Sequence, residues 1–157
     1  MSLTNHAPVP ELYVSHESAQ KLKLEAGSLP SWDLTARQIC DLELLMNGGF
    51  YPLKGFLNEA DYTGVVENMR LADGTLWPMP ITLDVNEAFA AKIEPGQDIA
   101  LRDQEGVILA ILSVSDKYVP NKQREAEMVY GADDLAHPAV NYLHHTAGSV
   151  YLGGPVI

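Results

Sequence analysis

The chain is short of cationic side chains, cysteine and long apolar runs, and each shortage removes a class of function. Ten Lys and Arg stand against 21 Asp and Glu among 157 residues, a formal net charge of −11. Phosphate backbones are held by concentrated Lys and Arg, so nucleic acid is not an expected partner. Cys40 is the one cysteine. It excludes an internal disulfide and a cysteine-rich zinc site, and it reads as a small buried apolar side chain, not as a reactive thiol. The longest strongly apolar run, Val107 to Leu112, is far too short to span a bilayer. The opening Met1-Ser2-Leu3-Thr4-Asn5-His6 lacks the basic, apolar, small-residue progression of a secretory leader. No membrane partner is expected, and the expected setting is the cytoplasm.

The remainder is ordinary globular composition, with 46% hydrophobic and 20% charged residues. A chain of this length buries roughly 70% of its unfolded surface, enough for one core without staples. Pro8 and Pro10 break structure early, and residues 1–30 read as an arm followed by a short helix around Ser18 to Glu25. That helix signal is weak. The next is strong: Thr35, followed three residues later by Gln38, forms a capping box. Ile39, Leu42, Leu45 and Met46 share one helical face, and Gly48-Gly49 stops a helix over 35–47.

A second helix is expected after Asn58, with Tyr62, Val65, Val66 and Met69 on its inner face. Asp73-Gly74 is a turn, and Leu76-Trp77 and Ile81 to Val85 read as strand. Trp77 reads as a core residue, not a ligand platform. Pro95-Gly96 and Asp103 to Gly106 punctuate strands at Ile99 to Leu101 and Val107 to Val114. A helix follows Asn121, carrying Ala126, Met128 and Val129. Another begins at Pro138 with Val140 and Leu143 inward, and Val150 to Leu152 closes as strand. The pattern predicts an α+β fold: a mostly antiparallel β core decorated by about four helices.

Motifs that carry chemistry are missing. Gly49-Phe50-Tyr51-Pro52-Leu53-Lys54-Gly55 reverses the Lys and Gly of a phosphate loop and lacks its hydroxyl, so it reads as a packed turn between helices. There is no Gly-x-Ser-x-Gly elbow. His144 and His145 are adjacent and point apart. His137 lies two turns from His144, which makes a weak metal pattern, and capping or solvation suits these histidines, like His6 and His16, better. Glu125, Glu127, Asp133 and Asp134 read as solvated acids, as expected at this net charge. No catalytic, cofactor-binding or metal-ligating residue is assigned.

Several strings resemble the N-terminal domain of ATP sulfurylase (sulfate adenylyltransferase). They are Trp32-Asp33-Leu34-Thr35-Ala36-Arg37-Gln38, Leu42 to Phe50, Pro52 to Asn58, Arg70 to Trp77 and Pro80 to Val85. Pro120-Asn121-Lys122, His137 to Val140 and Gly148 to Gly154 continue the series in the same order. The resemblance implies a PUA-like β pseudobarrel over residues 31–157, with residues 1–30 part of the same domain. It also implies a parent reaction in which sulfate attacks the α-phosphorus of MgATP, giving adenylyl sulfate and pyrophosphate. That family's catalytic strings (Gln-x-Arg-Asn-Pro, His-x-x-His and Gly-Arg-Asp-His) do not occur here. They belong to a following catalytic domain absent from this chain, which is the partner implied, together with homo-oligomer contacts. The resemblance fits equally a parent fused to adenylylsulfate kinase. The chain alone is expected to be inactive and to show an exposed apolar interface. The alternative reading is a stand-alone PUA-like module that binds RNA or a protein.

Overall fold

The computed structural model describes residues 8–157; the readings made on Met1 to His6, and the first seven residues of the arm, lie outside them. Six helices are described: α1 His16–Ala26, α2 Ala36–Met46, α3 Glu59–Asn68, α4 Glu87–Ala90, α5 Lys122–Tyr130 and α6 Pro138–His145. Seven strands accompany them: β1 Ser31–Asp33, β2 Gly55–Phe56, β3 Leu83–Val85, β4 Asp98–Arg102, β5 Ile108–Ser113, β6 Asp116–Tyr118 and β7 Val150–Pro155.

Local chemistry explains where the helices start. Each has orphan N–H groups that a side-chain acceptor must satisfy. Ser15, Asn58, Asn86 and Asn121 accept from the backbones of Ser18, Asp61, Phe89 and Arg124. Both halves of the Thr35/Gln38 capping box are formed, and Gly48 continues past the end of α2 at φ +83°. The weak signal at Ser18 to Glu25 proves to be a full helix, since the cap at Ser15 adds a turn and Leu22 packs against Ala26, Ala100 and Ile111. α3 ends one residue before Met69, which is a left-handed cap at φ 53° and 54% exposed, not an inner-face residue. Met128 likewise faces outward, because α5 turns Glu125 and Ala126 inward instead.

The strands form two small sheets. In one, β4 lies between β1, which runs parallel to it (Ser31 opposite Ala100), and β5, which runs antiparallel (Ile99 opposite Leu112). Leu101 opposes Ala110 while Arg102 opposes Ile108, so Leu109 is an extra, bulged residue. In the other, β7 pairs antiparallel with β3 and β6 through Val150 to Gly153 and with β2 at Gly154 and Pro155. The sheets meet where Val156 bridges Leu112. The β core is mostly antiparallel as expected, but among the described residues it is two joined sheets, not a closed barrel. The expected strand at Leu76-Trp77 is only a bridge between Arg70 and Leu76, because Pro78 and Pro80 remove ladder donors; the next strand shortens to Leu83–Val85.

One main core fills the space between the sheets, with Leu34, Leu45, Leu83, Ile93, Ile99, Leu101, Leu112 and Leu152 fully buried. Trp77 packs at its margin, edge-on to Phe50 with ring centroids 5.8 Å apart. A smaller cluster of Ala126, Val140 and Leu143 joins α5 to α6.

Candidate functional site

The most unusual chemistry lies under α5. Glu125 is only 4% exposed, which corrects its reading as a solvated acid. The Tyr62 hydroxyl from α3 and the Tyr151 hydroxyl from β7 both donate to its Oε1, the latter at 3.1 Å. Tyr118 completes the aromatic wall, its ring 5.4 Å from Tyr62 and 5.7 Å from Tyr151, and its hydroxyl donates to Leu57 O at 2.7 Å. Burial pushes the Glu125 carboxyl up; the two phenol hydrogen bonds and the charges of Arg37 and Lys122 pull against that shift. The same burial, beside a carboxylate, pushes the phenols of Tyr62 and Tyr151 far above their ordinary range. A carboxylate so held is an acceptor for its neighbours, and the tyrosines stay protonated as donors.

Sequence spacing carried a signal for this burial: Glu125 lies four residues before the core-facing Val129 and directly before Ala126, on the inner face of α5. A void of about 10 Å³ separates Glu125 from Arg37, Asp41, Asp84 and Tyr130, room for about one water. Gln38 forms the far wall. Its amide donates to Asp84 O at 2.7 Å and Asp84 Oδ1 at 3.0 Å, and its carbonyl accepts from Thr35 N and Trp32 Nε1. Asp84 Oδ2 then accepts from Gly148 N at 2.7 Å. Two polar clusters thus border one void: Glu125 ties α5 to α3 and β7, and Gln38 ties α2 to β3.

A cleft of about 470 Å³ opens where the strings Pro52 to Asn58, Leu71-Ala72-Asp73 and Gly154-Pro155 converge. β2 and β7 touch at its floor: a Cβ on Gly55 would lie 1.9 Å from Gly154 O. Asn58 caps α3, and Asp61 Oδ1 accepts from Ala72 N at 2.8 Å, pinning the loop after α3. The start of α3 is already met by a carboxylate, since Asp116 Oδ2 accepts from Glu59 N at 3.0 Å. Lys54 faces Asp61 and Asp73 among the lining residues. The turn holding Gly49 to Gly55 packs as expected, with Leu53 buried.

The histidines act as caps and partners. His137 Nδ1 accepts from Ala139 N at the start of α6, His144 pairs with Asp133, and His16 bonds Gln20. His145 is exposed, and His6 lies outside the described residues. Among the described residues, no group of three His, Cys, Asp or Glu is placed to hold a metal ion. Cys40 is exposed, not buried, because it falls on the outer face of α2 opposite Leu42 and Leu45. Among the described residues, no helix is long and apolar enough to cross a membrane. Tyr13, Leu109 and Ile157 stand exposed along the two grooves that border β5.

Two small, mostly antiparallel sheets packed on one core and flanked by helices, with a buried carboxylate held by two phenols, define a mixed α/β domain. A family model described as a PUA-like domain matches residues 4–157, and the chain belongs to that family. Curated relatives named sulfate adenylyltransferase are similar over most of the chain. That of Eremothecium gossypii is 49% identical over 97% of this chain and 31% of its own length. That of Mycosarcoma maydis is 55% identical over 88% and 25%. That of Schizosaccharomyces pombe is 54% identical over 86% and 28%. The chain therefore spans about a quarter to a third of the length of these relatives. A solved structure described as a hexameric APS kinase from Thiobacillus denitrificans superposes with a TM-score of 0.70 at 36% identity. The match covers 94% of this chain and 24% of that one.

Proposed function

We infer that this chain serves as the N-terminal domain of a sulfate adenylyltransferase, the parent reaction being ATP plus sulfate to adenylyl sulfate and pyrophosphate. One observation carries the reading: relatives of that name, 49–55% identical, take up 86–97% of this chain in about a third or less of their own length. The charge pattern supports a scaffolding role. Stabilising a charged α-phosphoryl transition state requires convergent cations, and the 470 Å³ cleft offers Lys54 against two carboxylates. MgATP and sulfate would therefore be bound by the remainder of the parent, in the cytoplasm, with this domain as its rigid support. The parent would also form homo-oligomer contacts.

The test compares two purified proteins in an assay of ATP-dependent adenylyl sulfate formation and pyrophosphate exchange. The 157-residue chain should show no turnover, and the longer polypeptide encoded by the same reading frame should show it. Turnover by the 157-residue chain, or none by the longer polypeptide, overturns the reading.

A further inference from the structure

Ile157 pairs with Ile111 through two backbone hydrogen bonds, Ile111 N–H to Ile157 O at 2.8 Å and Ile157 N–H to Ile111 O at 3.0 Å. Val156 bridges Leu112 in the antiparallel sense. The chain therefore leaves position 157 running back along β5, toward Leu109 and Val107. At about 3.3 Å per residue, two further residues bring it level with Leu109.

The surface in that direction is apolar and hollow. A groove of about 140 Å³ lies between α1 and β5, with Ile157 on its lip, and one of about 400 Å³ lies between β5 and the end of α2. Tyr13, Met46 and Leu109 border both. The bulge at Leu109 interrupts the ladder of β5 with β4 here; Leu109 is 40% exposed and Tyr13 57% exposed. Glu43 and Asp103 stand at the α2 end of the larger groove.

We propose that the polypeptide following position 157 in the longer proteins of this family runs antiparallel to β5 and seats apolar side chains in this double groove. A basic residue of that segment meets Glu43 and Asp103. The inference rests on the reading of the chain as part of a longer enzyme, and adds which surface holds the continuation. Direction of exit, distance and apolar shape select this occupant over a second copy of the domain.

The experiment uses maleimide labelling in a Cys40→Ser background, with Leu109→Cys and, separately, Val107→Cys as probes. Rates are measured in the 157-residue chain and in the longer polypeptide, each normalised to its own rate in denaturant. Both probes should label at least about tenfold more slowly in the longer polypeptide. Equal rates in the two proteins overturn the proposal. So does protection in the 157-residue chain that rises with its concentration, which would place a second copy in the groove. Adenylyl sulfate formation by the longer polypeptide is measured in parallel. Activity with both probes unprotected sinks the groove alone, and protected probes without activity sink the enzymatic reading alone.

Discussion

Replacing Tyr151 by Phe should destabilise the domain by about 2 kcal/mol at neutral pH, and by less in acid. The phenol removed donates to Glu125 Oε1 at 3.1 Å inside the core, and Tyr62 is the other donor to that oxygen. A hydrogen bond to a buried charged acceptor contributes roughly 1.5–3 kcal/mol, and its loss leaves a carboxylate with one phenol in place of two. The sign of the pH dependence follows from linkage. Burial holds the folded Glu125 carboxyl above its value of 4.5 in an unfolded chain. Its contribution to stability is then full below that value and is lost as pH rises through the folded pKa. The phenol bond favours the charged form, so removing Tyr151 raises the folded pKa further and its cost grows with pH. Urea unfolding followed by the fluorescence of Trp32 and Trp77 and by circular dichroism, at pH 4.5 and pH 7.5, measures both effects. Glu125→Gln keeps an acceptor for both phenols and abolishes the titration. It should therefore flatten the stability profile across that interval, and in its background Tyr151→Phe should cost the same at both pH values. A Tyr151→Phe cost below about 0.5 kcal/mol, or one that grows toward acid, would refute the reasoning.

Two backbone predictions follow from crowding and handedness. Gly55→Ala should cost more than about 4 kcal/mol or leave the protein insoluble, because its Cβ would sit 1.9 Å from the backbone oxygen of Gly154; soluble expression and thermal unfolding read this. Met69→Gly should stabilise by about 0.5–1 kcal/mol in the same urea assay, since Met69 holds φ 53° with a largely exposed side chain.

Features whose cause is local were legible in the sequence. Thr35 and Gln38 meet within one turn, so the capping box and the helix it starts follow from neighbouring residues. Asn58, Asn121 and Pro138 mark helix starts for the same reason. What depends on distant partners was not legible. Spacing places Glu125 on the inner face of α5, but nothing local names its partners Tyr62 and Tyr151, 63 and 26 residues away. Cys40 is exposed because the core takes the opposite face of α2. The parallel pairing of β1 with β4 joins segments far apart in the chain, with no βαβ pattern to announce it.

β7 has a consequence for biosynthesis. Three earlier strands, β2, β3 and β6, find their hydrogen-bonding partner in residues 150–155, and the adjoining Val156 and Ile157 stitch the two sheets together at Leu112 and Ile111. Nearly the whole segment must therefore have cleared the ribosome tunnel before the second sheet can zip up, and nascent chains halted upstream would expose the open edges of β2 and β3 to chaperones. Closure of that sheet therefore waits on β7, whereas β1, β4 and β5 already have one another as partners.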